Sequence, residues 1–114
     1  MVAPRYVPEG GDLVWMNFDP QAGYEQAGNR PGVVLSPGLY NRRAGLALVC
    51  PITSRSKGYP FEVVIPPGLA VRGVVLADQV RSIDWQARGV RFAGKMPKAI
   101  FEQVRERVVA LLGR

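Results

Sequence analysis

The sequence contains no histidine, and this absence removes several kinds of active site at once. A Ser-His-Asp triad, a nuclease built on paired histidines and a histidine-ligated zinc site all require an imidazole. Any acid–base chemistry must therefore use Asp, Glu, Lys, Arg or Tyr side chains. Cys50 is the single cysteine, so neither an intrachain disulfide nor a cysteine metal cluster can form. This cysteine usage fits a reducing compartment.

Long apolar runs are also missing from the chain. No segment approaches the length of a membrane span, and the opening MVAPRYVPEGGD lacks the apolar centre of a signal peptide. We therefore expect a soluble, cytoplasmic protein without a membrane partner. Hydrophobic residues make up 47% of the 114 residues, which is enough to build a core. The length fits one compact domain, and we interpret residues 1–114 as a single domain.

Acidic residues are absent between Glu25 and Glu62, and the whole chain carries a net charge of +6. Two polar loops, residues 21–30 and 54–60, contribute Arg30, Arg55 and Lys57 to this acid-free region. If the strands that these loops join are neighbours, the three cations form one positive rim suited to a polyanion. A solvated surface is an equally good interpretation of the charge alone.

Aromatic and amide side chains interrupt the basic loops and favour nucleic acid as the partner. Phe18, Tyr24 and Tyr59 could stack on unpaired bases, and Gln26 could form hydrogen bonds with them. Each ring could instead be a core residue. For Phe61, which lies in a strand pattern, we prefer the core interpretation.

Short apolar segments separated by turn residues predict a mainly β protein with a C-terminal helix. Thirteen glycines and ten prolines agree with short elements and many turns. Pro51 suggests that its strand leaves the ladder or lies at an edge or bulge. A small barrel or two packed sheets would accommodate this pattern. The predicted strands are residues 12–18, 31–36, 46–53, 61–65, 73–80 and 81–85, and the predicted helix is residues 97–112, with Pro97 at its first position.

Four blocks of the sequence resemble the MazF/PemK family of bacterial toxins. They read GDLVWMNFDP, EQAGNRPGVVLSP, PITSRSKGYPFEVV and LADQVRSIDW, and they run in order from about residue 11 to residue 85. The resemblance implies an SH3-like small β-barrel, a homodimer and the toxin role of a type II toxin–antitoxin module. It further implies a ribosome-independent endoribonuclease that cuts single-stranded mRNA without metal or other cofactor, at a short site such as one containing ACA. An acidic MazE-like antitoxin would cover the RNA site.

The same resemblance assigns roles to individual residues. Arg30, Thr53 and Glu25 match the catalytic positions of the family. Some relatives carry an arginine with the acid role two positions before the Asp-Gln pair, but this chain has Leu76 there. The residues expected to contact RNA are Phe18, Gln26, Arg55, Lys57, Asp78 and Gln79.

Metal-free RNA cleavage begins when the ribose 2′-OH attacks the adjacent 3′-phosphate and leaves a 2′,3′-cyclic phosphate and a 5′-OH. Arg30 suits the phosphate because its fork of donors stays charged, so we expect it mainly to stabilise developing charge. Thr53 can donate a further hydrogen bond. Glu25 is a possible base for the 2′ proton. Which residue acts as general base and which as general acid stays open.

Two other functions fit the same sequence. A toxin of the same fold could poison DNA gyrase without cutting RNA, since fold alone does not determine function. A non-catalytic RNA-binding barrel could use its charge for binding alone. The EQAGNRP and TSRSKG blocks favour the nuclease because they match the nuclease branch of the family.

Overall fold

The computed structural model describes residues 6–19, 24 and 28–113 as an antiparallel β structure with two α-helices. A 3₁₀ turn, Ala77–Gln79, follows the fifth strand. The helices are α1 (Gly38–Ala44) and α2 (Lys98–Leu111). The strands are β1 (Asp12–Asn17), β2 (Asn29–Val34), β3 (Leu46–Thr53), β4 (Glu62–Val64), β5 (Val74–Leu76), β6 (Arg81–Asp84) and β7 (Arg91–Lys95).

Strand β3 connects the parts of the sheet because it pairs along both of its edges. One edge pairs with β2, and the strand order across the sheet is β4-β5-β3-β2-β1-β7. The other edge pairs with β6 over Leu46–Val49 and with β5 over Ile52–Thr53. Cys50 and Pro51 lie between these two ladders, where a residue without an N–H group is least costly.

The strand predictions are largely confirmed, with differences at several boundaries. The mainly β class with a C-terminal helix is correct, but the pairings among the described residues do not close the sheet, so a barrel is not confirmed. Pro51 stays within β3 and pairs with Gly32 on one edge, while on the other edge the β6 ladder has already ended, so the strand leaves a ladder there as predicted. Arg30 belongs to β2 and not to the preceding loop. Residues 77–79 form a 3₁₀ turn instead of continuing a strand, and β7 was not predicted.

The core consists of two clusters on opposite faces of β1, β2 and β3. Leu13 packs in one cluster and Val14 in the other, as the two-residue period of a strand requires. Helix α2 covers the first cluster with the fully buried Val104. Trp85 packs in the second cluster. Burial is continuous where both faces are covered, as over residues 49–53 of β3, and alternates elsewhere, since Trp15 of β1 and Leu48 of β3 are exposed.

Helix α2 begins one residue later and ends one residue earlier than predicted. Pro97 precedes the helix as its N-cap, instead of occupying the first helical position. Ile100, Phe101 and Val108 pack partly buried against the core, as the apolar stripe predicted. The helix also reaches a loop of the sheet, since Arg107 Nε donates to the Pro60 carbonyl at 3.1 Å.

A buried polar network fixes the short helix α1 to the sheet. Asn41 is fully buried, and its Nδ2 donates to the Pro8 carbonyl at 2.7 Å and to the Ser36 carbonyl at 3.0 Å. The Asn41 carbonyl accepts from Trp85 Nε1 at 2.9 Å. Because unpaired polar groups are costly in a core, these bonds favour one position for α1.

A second network surrounds the buried carboxylate of Asp12 at the start of β1. Its Oδ2 accepts from the Tyr6 hydroxyl and from the Glu9 N–H, and its Oδ1 lies 2.8 Å from Lys95 Nζ. These donors compensate the charge, which burial alone would penalise. Burial, followed by the bond to Asp12, raises the pKa of Tyr6 above its ordinary value. The network joins the N-terminal segment to β7.

We predict that Tyr6→Phe lowers the free energy of unfolding by about 1–2 kcal/mol, because Asp12 loses one donor while the ring remains. Urea denaturation at neutral pH measures this loss. Tyr40→Phe, which changes a tyrosine that is 46% exposed, is the matched control and should have almost no effect. Equal stability of Tyr6→Phe and wild type would contradict the role given to this bond.

The same pair predicts a dependence on alkaline pH. Because the pKa of Tyr6 is raised in the folded state, folding retains a proton that the unfolded chain releases near pH 10. Wild-type stability should therefore fall as the pH rises above about 10. The free energy of unfolding of Tyr6→Phe should fall less over that range. Both proteins keep the Lys95–Asp12 ion pair, so its contribution is common to the two profiles. Parallel pH profiles of unfolding would count against this explanation.

Candidate functional site

A cleft of about 860 Å³ opens where β2 begins and where β3 and β5 end. Six residues assigned to the site from the sequence line it together: Arg30, Thr53, Arg55, Lys57, Asp78 and Gln79. They come from three separate parts of the chain. Tyr24, Ser54, Tyr59, Glu62 and Leu76 complete the lining.

Arg30 and Thr53 are brought together by the pairing of β2 with β3. The ladder pairs Gly32 with Pro51, and continuing this antiparallel register by two residues places Arg30 opposite Thr53. Thr53 is buried, and its Oγ1 accepts from the Arg55 N–H at 3.2 Å. Arg30 is half-buried. A guanidinium and a hydroxyl therefore border one cleft from adjacent strands.

The backbone at Thr53 is packed closely against Gly73. This glycine has φ +119°, and a Cβ added to it would lie 2.1 Å from the Thr53 carbonyl oxygen. Only glycine therefore fits beside the residue that ends β3. The adjacent ladder pairs Thr53 with Val74, which fixes Thr53 against β5.

Glu62 organises the 54–60 loop, and the sequence analysis gave it no role in the site. Its carboxylate accepts from Ser56 Oγ at 2.8 Å, from the Lys57 N–H at 3.0 Å and from the Gly58 N–H at 3.1 Å. These donors, led by the Lys57 N–H, hold the pKa of Glu62 below its usual value. A glutamate just after a glycine-containing loop is the signal that could have identified it.

Two tyrosines expose their rings at this cleft. The Tyr24 side chain is 98% exposed and the Tyr59 side chain 57%. Lys57 Nζ lies 5.9 Å from the centre of the Tyr59 ring, within reach of a cation–π interaction. The Tyr24 carbonyl accepts from Gln79 Nε2 at 3.3 Å, which ties Tyr24 to the 3₁₀ turn.

Asp78 and Gln79 reach the cleft because the chain turns after β5. Asp78 is exposed there, and Leu76, two positions before it, also lines the cleft. Burial, with a smaller contribution from Asp78, raises the pKa of the fully buried Cys50 to about 12. The thiol therefore stays protonated at neutral pH, which agrees with its interpretation as a small core residue and not a nucleophile.

One predicted RNA contact does not fit the structure, and two predicted site residues cannot be placed. Phe18 is fully buried in the second core cluster, so it presents no face to a base. The Arg81 guanidinium lies 6.0 Å from the centre of the Phe18 ring. Glu25 and Gln26 lie outside the described residues. Phe61 packs partly buried against the core, as expected.

The described part of the chain, residues 6–19, 24 and 28–113, contains no group of three or more His, Cys, Asp or Glu side chains placed to hold a metal ion. Within the same residues, neither helix has the length and apolar content that crossing a membrane requires.

The arrangement suits a phosphodiester bound in an extended strand. Arg30, Arg55 and Lys57 supply cationic donors along one side of the cleft. Arginine can hold two phosphate oxygens at once, and a threonine hydroxyl can add a third donor. Glu62 and Asp78 are the carboxylates among the described lining residues, and the oxygens of Glu62 already accept from the loop.

Comparison with known proteins agrees with the geometry of the cleft. Residues 9–112 match the family described as PemK-like, MazF-like toxin of type II toxin–antitoxin system. The chain is 50% identical over 109 residues to the endoribonuclease toxin MazF of Escherichia coli K12, covering 96% of this chain and 97% of that protein.

Solved structures give the same result. A crystal structure of MazF from Deinococcus radiodurans superposes with a TM-score of 0.93 at 53% identity, covering 96% of this chain and 100% of that one. A MazE–MazF complex from the same organism gives a TM-score of 0.85 at 48% identity, with 96% and 98% covered. With residues 9–112 matched by the family model and nearly its whole length aligned with a relative at 50% identity, this chain belongs to the PemK/MazF-like toxin family of type II toxin–antitoxin systems.

Proposed function

We propose that this protein is the toxin of a toxin–antitoxin module and acts as an endoribonuclease on single-stranded mRNA. The single observation that carries the proposal is the cleft that Arg30, Thr53, Arg55 and Lys57 line together. Relatives that cover nearly the whole chain are named endoribonucleases, which supports the same activity. Cleavage at a short recurring sequence, independent of ribosomes and metal, completes the proposal.

The reaction follows from the chemistry of the donors. The ribose 2′-OH loses its proton to a base and attacks the adjacent phosphorus. The bond to the 5′ oxygen breaks, that oxygen takes up a proton from water, and a 2′,3′-cyclic phosphate and a 5′-OH result. Arg30 stabilises the negative charge that builds on the non-bridging oxygens, and the Thr53 hydroxyl donates a further hydrogen bond. Arg30 therefore serves mainly as an electrostatic stabiliser in this proposal.

The general base is proposed from the carboxylates near the cleft. Glu62 is a poor candidate, because loop donors hold its pKa down and occupy its oxygens. Glu25 is the proposed base from its position in the EQAGNRP block. The assignment rests on the resemblance of that block to the family.

We predict that wild-type protein cuts a long single-stranded RNA in excess EDTA, and that Arg30→Ala lowers the cleavage rate by about 10²–10³-fold. Arg42→Ala removes an exposed guanidinium from α1 and is the matched control. It is expected to keep the wild-type rate. Mapping of the cut ends should give a recurring short sequence with 2′,3′-cyclic phosphates.

Three outcomes would contradict parts of this proposal. Intact RNA with wild-type protein would overturn the nuclease, and poisoning of DNA gyrase by a toxin of this fold would be assayed next. Binding without cleavage would indicate an RNA-binding module. Cleavage that EDTA abolishes would overturn metal independence alone.

We further propose an acidic antitoxin as the protein partner, with a segment that folds over the cleft. The MazE–MazF complexes of Deinococcus radiodurans support this partner. Arg30, Arg55 and Lys57 offer the complementary charge, while the bonds of Glu62 to the loop reduce the repulsion that its carboxylate would exert. Ordering of the segment on binding would offset part of the contact energy.

We predict that antitoxin affinity falls as the salt concentration rises, because screening weakens attraction between exposed charges. Titration calorimetry at several salt concentrations measures the dependence, and Arg55→Ala with Lys57→Ala should flatten it. Replacement of Arg42 and Arg43 on α1 is the control with the same charge change. An affinity independent of salt would show that apolar contacts dominate the complex.

The proposal includes a homodimer and an SH3-like barrel. Family membership supports both, and the pairing of β3 with β5 and β6 on one edge supports the sharp bend that a small barrel needs. Sedimentation equilibrium gives the mass in solution, and a single-chain mass of 12.5 kDa across concentrations would overturn the dimer.

A further inference from the structure

Several described aromatic side chains are exposed, among them Trp15, Tyr40 and Phe92, but only Tyr24 and Tyr59 among the exposed rings line the cleft. Phe18 and Trp85 are core residues, whereas Tyr24 is 98% and Tyr59 57% exposed. Tyr24 and Tyr59 line the cavity that contains Arg30 and Thr53. A nearly fully exposed ring buries little apolar surface on folding. Its position at a cationic cleft therefore points to a ligand with flat faces.

We propose that Tyr24 and Tyr59 form a base-stacking subsite that holds the unpaired bases beside the cleaved phosphate. The subsite rests on the proposed function and specifies how the RNA is recognised. Each ring receives the face of one nucleobase, while the cations bind the backbone between them. Because every base has a π face, this subsite gives affinity for unpaired RNA, and other groups select the sequence.

The main chain beside each ring is held by defined hydrogen bonds. The carbonyl of Tyr24 accepts from Gln79 Nε2 at 3.3 Å. Tyr59 belongs to the 54–60 loop, whose backbone donors bind the Glu62 carboxylate at 3.0–3.1 Å. Lys57 lies over the Tyr59 ring at 5.9 Å, so a phosphate beside a stacked base would have a cation within the same loop.

Glu62 is therefore a positioning residue for Tyr59 and Lys57. Its oxygens accept from both main-chain N–H groups and from Ser56. An amide at this position would replace one acceptor oxygen by an NH₂ group and remove the negative charge, so the loop donors would keep only one, weaker acceptor. Glu62→Gln should thus weaken RNA binding through the Tyr59 side and leave the Tyr24 side unchanged.

The test uses an RNA that binds but cannot be cut. A fluorescein-labelled oligonucleotide carries the mapped cleavage sequence with a single 2′-deoxy residue at the cut, which removes only the attacking hydroxyl. Tyr24→Ala and Tyr59→Ala should each weaken binding by roughly 5- to 100-fold, and the Phe variants should retain most of the affinity because stacking needs the ring. Tyr40→Ala, an exposed tyrosine on α1, is the control and should bind as wild type does.

A chemical double-mutant cycle identifies the stacked base. Abasic substitutions are introduced one at a time on either side of the cut. One abasic substitution should weaken RNA binding by the wild type but have little effect on RNA binding by Tyr24→Ala. A different abasic substitution should show the same pattern with Tyr59→Ala. Additive losses at every position would show that neither ring contacts a base. Annealing the oligonucleotide to its complement should abolish binding.

The outcomes separate the subsite from the proposed function. Wild-type binding with unchanged affinity in both alanine variants would overturn the subsite and leave the nuclease intact. Lack of wild-type binding to the uncut RNA would overturn both. Loss of affinity in Tyr24→Phe and Tyr59→Phe as large as in the alanine variants would show that the hydroxyls act and that stacking does not. Equal effects of Glu62→Gln alone and in the Tyr59→Ala background would overturn the positioning role.

Discussion

Strand β3 is hydrogen-bonded along both edges, and the position of the cleft depends on that pairing. Its partner on one edge, β2, places Arg30 opposite Thr53. On the other edge β6 gives way to β5 at the end of the strand, and Gly73 approaches the Thr53 carbonyl there. A side chain at position 73 would clash with that carbonyl. The end of β3 therefore positions two neighbouring strands, β2 and β5, that border the cleft.

The loops beside this strand obtain their order from polar contacts and not from apolar burial. Residues 54–60 are exposed throughout, so the hydrophobic effect contributes little to their conformation. Three donors converge on Glu62, and Arg107 on α2 donates to the carbonyl of Pro60. Such contacts restrict the loop while leaving the side chains of Lys57 and Tyr59 available to a ligand. Glu62, an acidic residue in a basic cleft, therefore has a structural role, which is to order the 54–60 loop.

Much of the fold follows from local patterns that survive in the tertiary structure. Short apolar runs predicted strands such as β3, and the apolar stripe of α2 predicted its helix to within one residue at each end. Strand β7 was missed because Arg91, Phe92 and Lys95 show no burial pattern, and its order comes from pairing with β1. Phe18 was assigned to RNA because a ring beside a polar loop has the same local sequence whether it faces the core or the solvent.

The sequence by itself determined the chemistry that is available: no imidazole, one thiol, an acid-free segment and a set of arginine, lysine and threonine side chains. Family blocks in that sequence indicated which of them belong to one site. Only the tertiary structure decided that Arg30, Thr53, Lys57, Asp78 and Gln79 share a single cleft, that Phe18 is buried and that Glu62 organises a loop. The physical reason is that residue types and short-range periodicity are local properties, whereas strand register and burial depend on contacts between segments that are distant in the chain.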